Sequence, residues 1–291
     1  MTNLQPLENG HLNASQKDNY WQDGYLFPMQ VISEEEAATL RHELETLEAN
    51  WLDADLPRPL NTYKRLNANC TISLAARIAS DPRVLNVVEG ILGPDILLWG
   101  AELFIKEPHT SAYVSMHQDL TYWGMGEIDG LVTAWIALSP ATIASGCMEF
   151  VAGSHKNPIL PHQDTHGDNN LLSRGQEIKV EVAPEDRVSV ELQPGQMSLH
   201  HGLTIHGSGP NTSDDRRIAI AMRFLRPDMA QMGGAKDYAM LVRGEDRFGN
   251  FHHYDGAASD FSADSLAMFE TIRDAQNAIL MKGSDQKASY D

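Results

Sequence analysis

Short apolar segments rich in β-branched and aromatic residues follow one another between Ile96 and Phe224. Turn-forming residues separate them, among them Glu107-Pro108, Ser139-Pro140 and Gly209-Pro210-Asn211. The segments are Ile96–Ile105, Tyr113–His117, Leu131–Leu138, Cys147–Val151, Ile178–Val182, Val188–Leu192, Met197–Leu199 and Ile218–Phe224. So many short strands in succession argue against βαβ units and a parallel sheet. They predict a mainly β fold, a sandwich or barrel of the jelly-roll kind.

Helical patterns flank this β-rich region. Ser33 and Glu36 form a capping-box pattern, and apolar residues then recur at three- and four-residue steps. The recurring residues are Ala37, Leu40, Leu44, Leu47 and Trp51. A shorter helix is predicted to begin at Asp81-Pro82 and end near Gly93, and a closing amphipathic helix is predicted over 264–282. The apolar stripes predict packing against a core.

Two stretches lack any such periodicity. Residues 1–20 are polar and aperiodic, and we expect a loose N-terminal arm. Residues 157–175 are polar and contain prolines, and we expect an insertion loop between strands. Internal repeats and linker-like stretches are not apparent, so the sequence predicts a single domain over 1–291.

The composition excludes several classes of function. The chain has 22 Lys and Arg against 40 Asp and Glu, a formal net charge of −18. Because nucleic acids and anionic membranes attract basic surfaces, neither is an expected partner. The N-terminus shows no secretory signal pattern, and only Cys70 and Cys147 are present, too few for a disulfide framework. We therefore expect a cytoplasmic protein with a small-molecule partner.

The tripeptide His117-Gln118-Asp119 stands at the end of a predicted strand. Residues i and i+2 of a strand point to the same face, so an imidazole and a carboxylate are presented side by side. A second imidazole would complete the facial set of two His and one carboxylate that is typical of non-haem Fe(II) oxygenases. His206 is the best candidate, and His200 and His201 are its rivals, of which only one can point inward.

The sequence contains a second copy of this tripeptide, His162-Gln163-Asp164. Its neighbours are the proline, glycine and asparagine residues of the predicted insertion loop, which offers no fixed same-face geometry. We interpret this copy as surface polar residues rather than metal ligands.

Arg217 follows His206 at the start of an apolar strand. A guanidinium pairs with a carboxylate through two parallel hydrogen bonds, which suits the far end of a dicarboxylic co-substrate. Arg216 and Arg217 must point to opposite faces, so one is expected inside and the other in solvent.

Together these residues resemble the iron- and 2-oxoglutarate-dependent oxygenases of the phytanoyl-CoA dioxygenase family. The resemblance runs from about Gly24 to Phe224. The motifs that carry it are His117-Gln-Asp-Leu-Thr-Tyr-Trp123, Thr133-Ala-Trp135, Gly146-Cys-Met, Gly153-Ser-His-Lys156 and His206-Gly-Ser-Gly-Pro-Asn211. The fold it implies is a double-stranded β-helix, a cupin-like jelly-roll barrel with flanking helices.

The resemblance also implies the chemistry and the site. His117, Asp119 and His206 would bind Fe(II), which uses O2 and the co-substrate 2-oxoglutarate and releases succinate and CO2. Arg217 would bind the co-substrate's far carboxylate. Ser208, Trp135 and Thr133 would also line the co-substrate site, and Lys64 is a candidate for the family's upstream lysine. Because related halogenases have Ala or Gly in place of the carboxylate, Asp119 implies hydroxylation.

The substrate is less constrained. Trp123, Tyr122 and Met125 would line the pocket mouth or else pack at the barrel rim, and Asn61 and Lys64 are further candidates. Similar bacterial members share the segments Asn170-Leu-Leu-Ser-Arg-Gly-Gln176 and Leu241-Val-Arg-Gly-Glu-Asp246 and resemble hydroxylases of organophosphonates or aminophosphonates, including quaternary ammonium types. A secondary metabolite or an amino-acid derivative is the alternative.

A function of another class also fits the predicted fold. A cupin-like barrel with these ligands would serve as a non-redox isomerase or as a metal-binding sensor. Arg217 discriminates between the classes, because only the oxygenase needs a carboxylate-binding group at that place.

Overall fold

The computed structural model describes residues 4–280, apart from residues 122, 127–128, 166–168, 173–174 and 235. Its strands are β1 (Tyr25–Gln30), β2 (Ile96–Lys106), β3 (Val114–His117), β4 (Leu131–Ala137), β5 (Met148–Val151), β6 (His162–Asp164), β7 (Gln176–Ile178), β8 (Arg187–Val190), β9 (Gln196–His201), β10 (His206–Ser208), β11 (Arg217–Leu225), β12 (Asp237–Arg243) and β13 (Phe251–His253).

These strands form a large sheet, a small sheet and a hairpin. The large sheet has the order β1-β9-β4-β11-β2-β12-β13, the small sheet has the order β3-β10-β5-β8, and β6 pairs with β7. All neighbours in the two sheets are antiparallel except β12 and β13. The non-sequential strand order and the two facing sheets are those of the predicted jelly-roll, which is confirmed.

The helices are α1 (Ala14–Asp23), α2 (Glu34–Trp51), α3 (Leu60–Arg65), α4 (Ala68–Thr71), α5 (Ser73–Ala79), α6 (Pro82–Leu92) and α7 (Ala263–Leu280). Helix α2 begins as predicted at Ser33, whose hydroxyl accepts the Glu36 backbone N–H at 3.1 Å. The Glu36 carboxylate pairs with Arg83 on α6 instead of turning back to the cap. Among the described residues, no helix is long and apolar enough to cross a membrane.

The main core lies between the helices and the large sheet. Leu44 of α2, Val88 of α6 and Phe269 of α7 are fully buried there, together with Ile220 of β11. A second cluster, which includes Trp135 of β4 and Phe150 of β5, fills the space between the two sheets. The functional residues described below lie at the polar end of that space, between rigid strands that fix their positions.

Three boundary predictions are wrong. The expected loose arm contains α1, which begins with a capping box of Asn13 and Gln16 and buries Tyr20, because two local hydrogen bonds offset the lack of an apolar stripe. The strand predicted over Ile178–Val182 is instead β7 and ends at Ile178. The expected insertion loop carries β6, which pairs with β7.

Candidate metal centre and adjoining pockets

His117, Asp119 and His206 come together between the sheets. His117 ends β3, and His206 begins β10 directly opposite it in the antiparallel register. Asp119 begins a 3-10 turn after β3, so that turn, rather than strand alternation, brings its carboxylate beside His117. The His117 Nε2 and Asp119 Oδ1 atoms lie 3.2 Å apart, and His206 Nε2 lies 3.8 Å from the same oxygen. All three side chains are buried.

The backbone fixes the tautomers of both imidazoles. His117 Nδ1 donates to the carbonyl oxygen of Ser115, and His206 Nδ1 donates to that of Thr204, each at 2.9 Å. Each Nε2 atom is thereby left with its lone pair facing the Asp119 carboxylate. A carbonyl that orients the distal nitrogen in this way is the usual support of a metal-binding histidine.

The electrostatics of this triad also suit a cation. Burial and the neighbouring imidazoles of His117 and His200 hold the pKa of His206 well below its usual range. Burial opposes ionisation of Asp119, yet His206 and His117 lower the pKa of this carboxyl well below its usual value. Among the described residues, these three form the one group of His, Cys, Asp or Glu whose ligand atoms all lie within 4.8 Å of one another. Two neutral imidazoles and one carboxylate are a donor set that fits Fe(II).

The rival histidines occupy opposite sides of β9. His200 points toward the triad, with its ring centroid 4.5 Å from that of His206 and its Nε2 3.6 Å from Asp119 Oδ2. His201 points to the other side of the strand, where its Nε2 lies 3.2 Å from an Asp129 carboxylate oxygen. The alternation expected for the pair is therefore confirmed, and His200 lies beside the triad without joining it.

One pocket, which we call the triad pocket, is lined by the three clustered residues together with Thr133, Trp135, His200, Ser208 and Arg217. Arg217 is 1% exposed, and its guanidinium carbon lies 5.3 Å from the Trp135 ring centroid. One of its nitrogens donates to the Gly146 carbonyl at 2.9 Å. Its Nε has no hydrogen-bond partner among the described residues. A buried guanidinium with an unmet donor in a pocket fits an anionic ligand.

Arg216 points away from this pocket, as the alternation predicts. It pairs with Glu107 and Glu48, each at 2.9 Å. Thr133 donates its hydroxyl to Asp119 Oδ2 at 3.2 Å, so in this structure it orients the carboxylate of the triad.

The lysine beside Arg217 is Lys106, which the sequence reasoning missed. It stands opposite Arg217 in the register of β2 and β11 and donates its Nζ to the Ser208 hydroxyl at 2.7 Å. Burial and the charge of Arg217 lower the pKa of Lys106 to about 6. The sequence-predicted Lys64 instead pairs with Glu48 at 2.6 Å, since its helix α3 turns this side chain toward α2. A lone lysine ending an apolar strand was the available signal for Lys106.

A second pocket adjoins the first and shares Phe104, Asp119, Leu172 and Arg223 with it. We call it the adjoining pocket. Its polar and aromatic lining includes Arg65, Asn67, Trp99, Glu102, Trp123 and Arg223. Arg223 pairs with Glu102 at 2.9 Å, and its guanidinium carbon lies 5.0 Å from the Trp123 ring centroid. Glu102 and Arg223 could have been found in the sequence, because a charge inside an otherwise apolar strand is rarely left without a role.

The other substrate-site predictions have mixed outcomes. Trp123 lines the adjoining pocket, whereas Met125 is buried behind it in an apolar cluster with Trp99. Asn61 is exposed on α3, and Arg65 at the end of α3 and Asn67 in the link to α4 line the pocket in its place. Tyr122 lies outside the described residues.

Among the described residues the second HxD copy adds no ligand to the triad, as interpreted, but its histidine does not lie at the surface. His162 is half-buried in β6, and its Nε2 accepts the backbone N–H of Gln118 at 3.2 Å. The stretch is not a loop throughout, because β6 pairs with β7 and this pairing brings His162 against the first copy.

Comparison with known proteins agrees with this geometry. The profile of the phytanoyl-CoA dioxygenase family matches residues 20–219. The chain belongs to this family. The matched residues include β3 and the turn after it, β10 and the start of β11, which together contain the triad and Arg217. The protein is thus an Fe(II)- and 2-oxoglutarate-dependent dioxygenase.

Individual members of the phytanoyl-CoA dioxygenase family show the range of relatives. The peroxisomal phytanoyl-CoA dioxygenase of Bos taurus is 28% identical over 75% of this chain and 69% of its own length. A probable alpha-ketoglutarate-dependent hypophosphite dioxygenase of Stutzerimonas stutzeri is 23% identical over 77% of this chain and 82% of its own.

Solved structures of non-heme enzymes share the fold. The non-heme monooxygenase ThoJ, in its apo form, has a TM-score of 0.81 and 30% identity over 92% of this chain and 98% of its own. CytC3 with Fe(II) and alpha-ketoglutarate has a TM-score of 0.63 at 18% identity, covering 87% of this chain and 97% of its own, and shows the shared fold.

Proposed function

We propose that this dioxygenase hydroxylates a C–H bond of a small polar molecule that carries an anionic group, releasing succinate and CO2. The observation that carries the proposal is that one pocket is lined by the triad and Arg217, and a second pocket with charged walls adjoins it at Asp119. An oxygenase of this class needs co-substrate and substrate on two sides of one metal, and two pockets meeting at a ligand satisfy that need.

In this proposal His117, Asp119 and His206 hold Fe(II) on one face. When bound, the iron supplies the activation of O2 that the side chains themselves cannot perform. The Nδ1 hydrogen bonds of the two histidines and the Thr133 hydrogen bond to Asp119 keep the three donor atoms converging. The protein's task at this end of the site is orientation and exclusion of water.

In the same proposal, Arg217 and Lys106 bind the carboxylate of 2-oxoglutarate that is distant from its keto acid group. Both side chains are buried, and the Ser208 hydroxyl and the Trp135 ring lie beside them. A carboxylate placed there would meet the unpartnered Nε of Arg217 and would restore the charge of Lys106. This is the carboxylate that 2-oxoglutarate presents at the end distant from its keto acid group.

The adjoining pocket is proposed as the substrate site. Its described lining contains two guanidinium groups, Arg65 and Arg223, and two carboxylates, Glu102 and the Asp119 of the triad. Such a pair of cations suits a tetrahedral or planar oxyanion. The relative named as a hypophosphite dioxygenase supports a phosphorus oxyanion, and we propose an organophosphonate or aminophosphonate.

The aromatic wall supports a cationic group on the same substrate. The Trp99 and Trp123 ring centroids lie 4.9 Å apart beside Glu102, an arrangement that suits an ammonium or quaternary ammonium group. A secondary metabolite or an amino-acid derivative with a carboxylate is the second candidate, because a carboxylate would use the same guanidinium groups.

Asp119 supports hydroxylation rather than halogenation, because its carboxylate would fill the coordination position that a halide needs. A single catalytic domain and a cytoplasmic location are part of the same proposal. Both cysteines are free and buried, which suits a reducing compartment.

The test is a panel of paired substrates, read by succinate formation with Fe(II), 2-oxoglutarate and O2. Each phosphonate or carboxylate is compared with an alcohol or amide of the same size. We expect only the anionic member of a pair to stimulate succinate formation and to gain a hydroxyl group by mass spectrometry. Equal stimulation by neutral and anionic members would contradict the assignment of the adjoining pocket, and a chain without any 2-oxoglutarate turnover would contradict the proposed function.

A further inference from the structure

The peptide between two of the triad residues is held from outside the triad. Gln118 lies between His117 and Asp119 and is 1% exposed. Its backbone N–H donates to the Nε2 atom of His162 at 3.2 Å. This N–H belongs to the peptide plane that joins the Cα atoms of His117 and Gln118, so its orientation directs the His117 side chain immediately and the Asp119 side chain one peptide further along. His162 is therefore in a position to influence both.

The tautomer of His162 is set by the same device as in the triad. Its Nδ1 donates to the carbonyl of Leu160, two residues earlier, at 2.7 Å. His117 and His206 donate in the same way to carbonyls two residues earlier. In all three histidines Nε2 is left as the acceptor. In the triad that nitrogen faces the metal position, whereas in His162 it faces a peptide N–H.

The side chain of Gln118 forms further hydrogen bonds, one of them to the segment that contains Leu160 and His162. Its Oε1 accepts the backbone N–H of Leu160 at 2.8 Å, and its Nε2 donates to the carbonyl of Leu203 at 3.0 Å. Leu203 lies in the turn between β9 and β10, three residues before His206. The segment containing Leu160 and His162 thus contacts the middle of the first HxD tripeptide and, through Gln118, the approach to the third triad residue.

We propose that His162 is a positioning residue for the metal centre, which it serves by fixing the Gln118 peptide. The inference rests on the proposed function in taking His117 and Asp119 as metal ligands. Its physical basis is the cost of an unmet buried donor, since a buried N–H that loses its acceptor costs about 1–3 kcal/mol. A peptide released from His162 would turn to find another acceptor and would move the ligands with it. Loss of such support typically lowers metal affinity about 10- to 100-fold.

The experiment compares three variants in anaerobic Fe(II) titrations of the full chain, with thermal unfolding of each metal-free protein measured alongside. His162→Leu keeps the bulk and removes the acceptor. His162→Gln offers a carbonyl oxygen near the place of Nε2. Gln163→Ala is the matched control, because this neighbour on β6 is exposed.

We expect His162→Leu to bind Fe(II) about 10- to 100-fold more weakly, with His162→Gln and Gln163→Ala close to the wild type. Rescue by glutamine is the result that mere packing of the hairpin would not give. Unchanged affinity in His162→Leu would overturn the proposal, as would equal losses in the leucine and glutamine variants. A wild-type chain that binds Fe(II) yet hydroxylates nothing would overturn only the proposed function.

Discussion

Lys106 and Arg217 lie directly opposite each other on the neighbouring strands β2 and β11, and both are buried. Two cations in such a position repel each other and lose their hydration. Burial lowers the pKa of Arg217 to about 10, and burial together with Arg217 lowers that of Lys106 to about 6. The pair is costly in the absence of an anion, so it indicates a site kept ready for one.

Arg217→Ala is expected to raise the apparent KM for 2-oxoglutarate strongly while Fe(II) content stays unchanged. Removing one partner of a charge-assisted pair in a shielded site costs about 2–5 kcal/mol, which is roughly 30-fold to several thousand-fold in affinity. Succinate formation at varied 2-oxoglutarate, with metal analysis of the purified protein, measures both quantities.

Arg216→Ala is the matched control, because the adjacent arginine points to Glu48 and Glu107 on the opposite side of the strand. We expect the apparent KM of this variant for 2-oxoglutarate to stay within a few-fold of the wild-type value. A larger effect in Arg216→Ala than in Arg217→Ala would mean that the strand alternation does not govern the site.

Binding of 2-oxoglutarate is expected to take up a proton at Lys106. The pKa of this lysine, about 6 in the ligand-free protein, is depressed from its ordinary value, so the amine is largely neutral above that pH. A carboxylate beside it favours the charged form and raises its pKa again. Affinity should therefore fall as pH rises above about 6, and no uptake is expected well below it. Calorimetry of the anaerobic Fe(II) protein in buffers of different ionisation enthalpy measures the proton count.

The variant Lys106→Met should bind 2-oxoglutarate more weakly than the wild type, and its binding should take up no proton. It should also flatten the rise of stability with pH. Between a pKa of about 6 in the folded state and the ordinary lysine value in the unfolded state, the unfolded chain holds the extra proton, so stability increases with pH there. Proton uptake that persists in Lys106→Met would assign it to another group.

Asp119→Gly is expected to bind Fe(II) more weakly and to lose hydroxylation. The change removes one negative charge and one donor oxygen while leaving His117 and His206. In chloride buffer we expect at most traces of halogenated product, because product choice also depends on substrate position. The matched control is Asp164→Asn, in the second HxD copy, which should retain turnover. Hydroxylation by Asp119→Gly near the wild-type rate would rule out Asp119 as a ligand.

The pair Glu102 and Arg223 predicts a double-mutant result. Arg223→Met alone leaves a carboxylate in a largely buried place, and we expect a loss of about 1–3 kcal/mol in stability, reduced by the remaining exposure of the pair. Glu102→Gln together with Arg223→Met should recover most of that loss. Substrate-stimulated succinate formation should stay low in both, because the guanidinium is missing. Recovery of turnover in the double variant would show that Arg223 serves stability alone.

Much of the fold follows from local sequence patterns. Most of the predicted strands appear at or near their expected bounds, and α2 and α6 begin at Ser33 and Asp81 as predicted. These signals are local, because alternation and caps depend on neighbouring residues. Helix α1 and β6 were missed since α1 has little apolar stripe and β6 is only three residues long. Helix α1 instead begins with the local capping box of Asn13 and Gln16, whereas β6 depends on its pairing with β7.

The triad was predictable because its residue types and its strand-end context are visible in the chain. The position of Lys106 beside Arg217 was not predictable, because the two residues meet only through the pairing of β2 with β11. The lysine chosen from the sequence, Lys64, fails for the same reason, since an ion pair with Glu48 turns it away.

The sequence by itself determined the chemistry of this protein: two imidazoles, one carboxylate and a buried arginine at a spacing that suits Fe(II) and a dicarboxylic co-substrate. The tertiary structure decided which copies of those residues meet. His117-Gln-Asp119 and His162-Gln-Asp164 are identical as tripeptides, yet sheet pairing sets the first opposite His206 and turns the second onto the peptide of Gln118. The physical reason is that ligand identity is a property of side chains, whereas convergence on one point requires the register of strands distant in sequence.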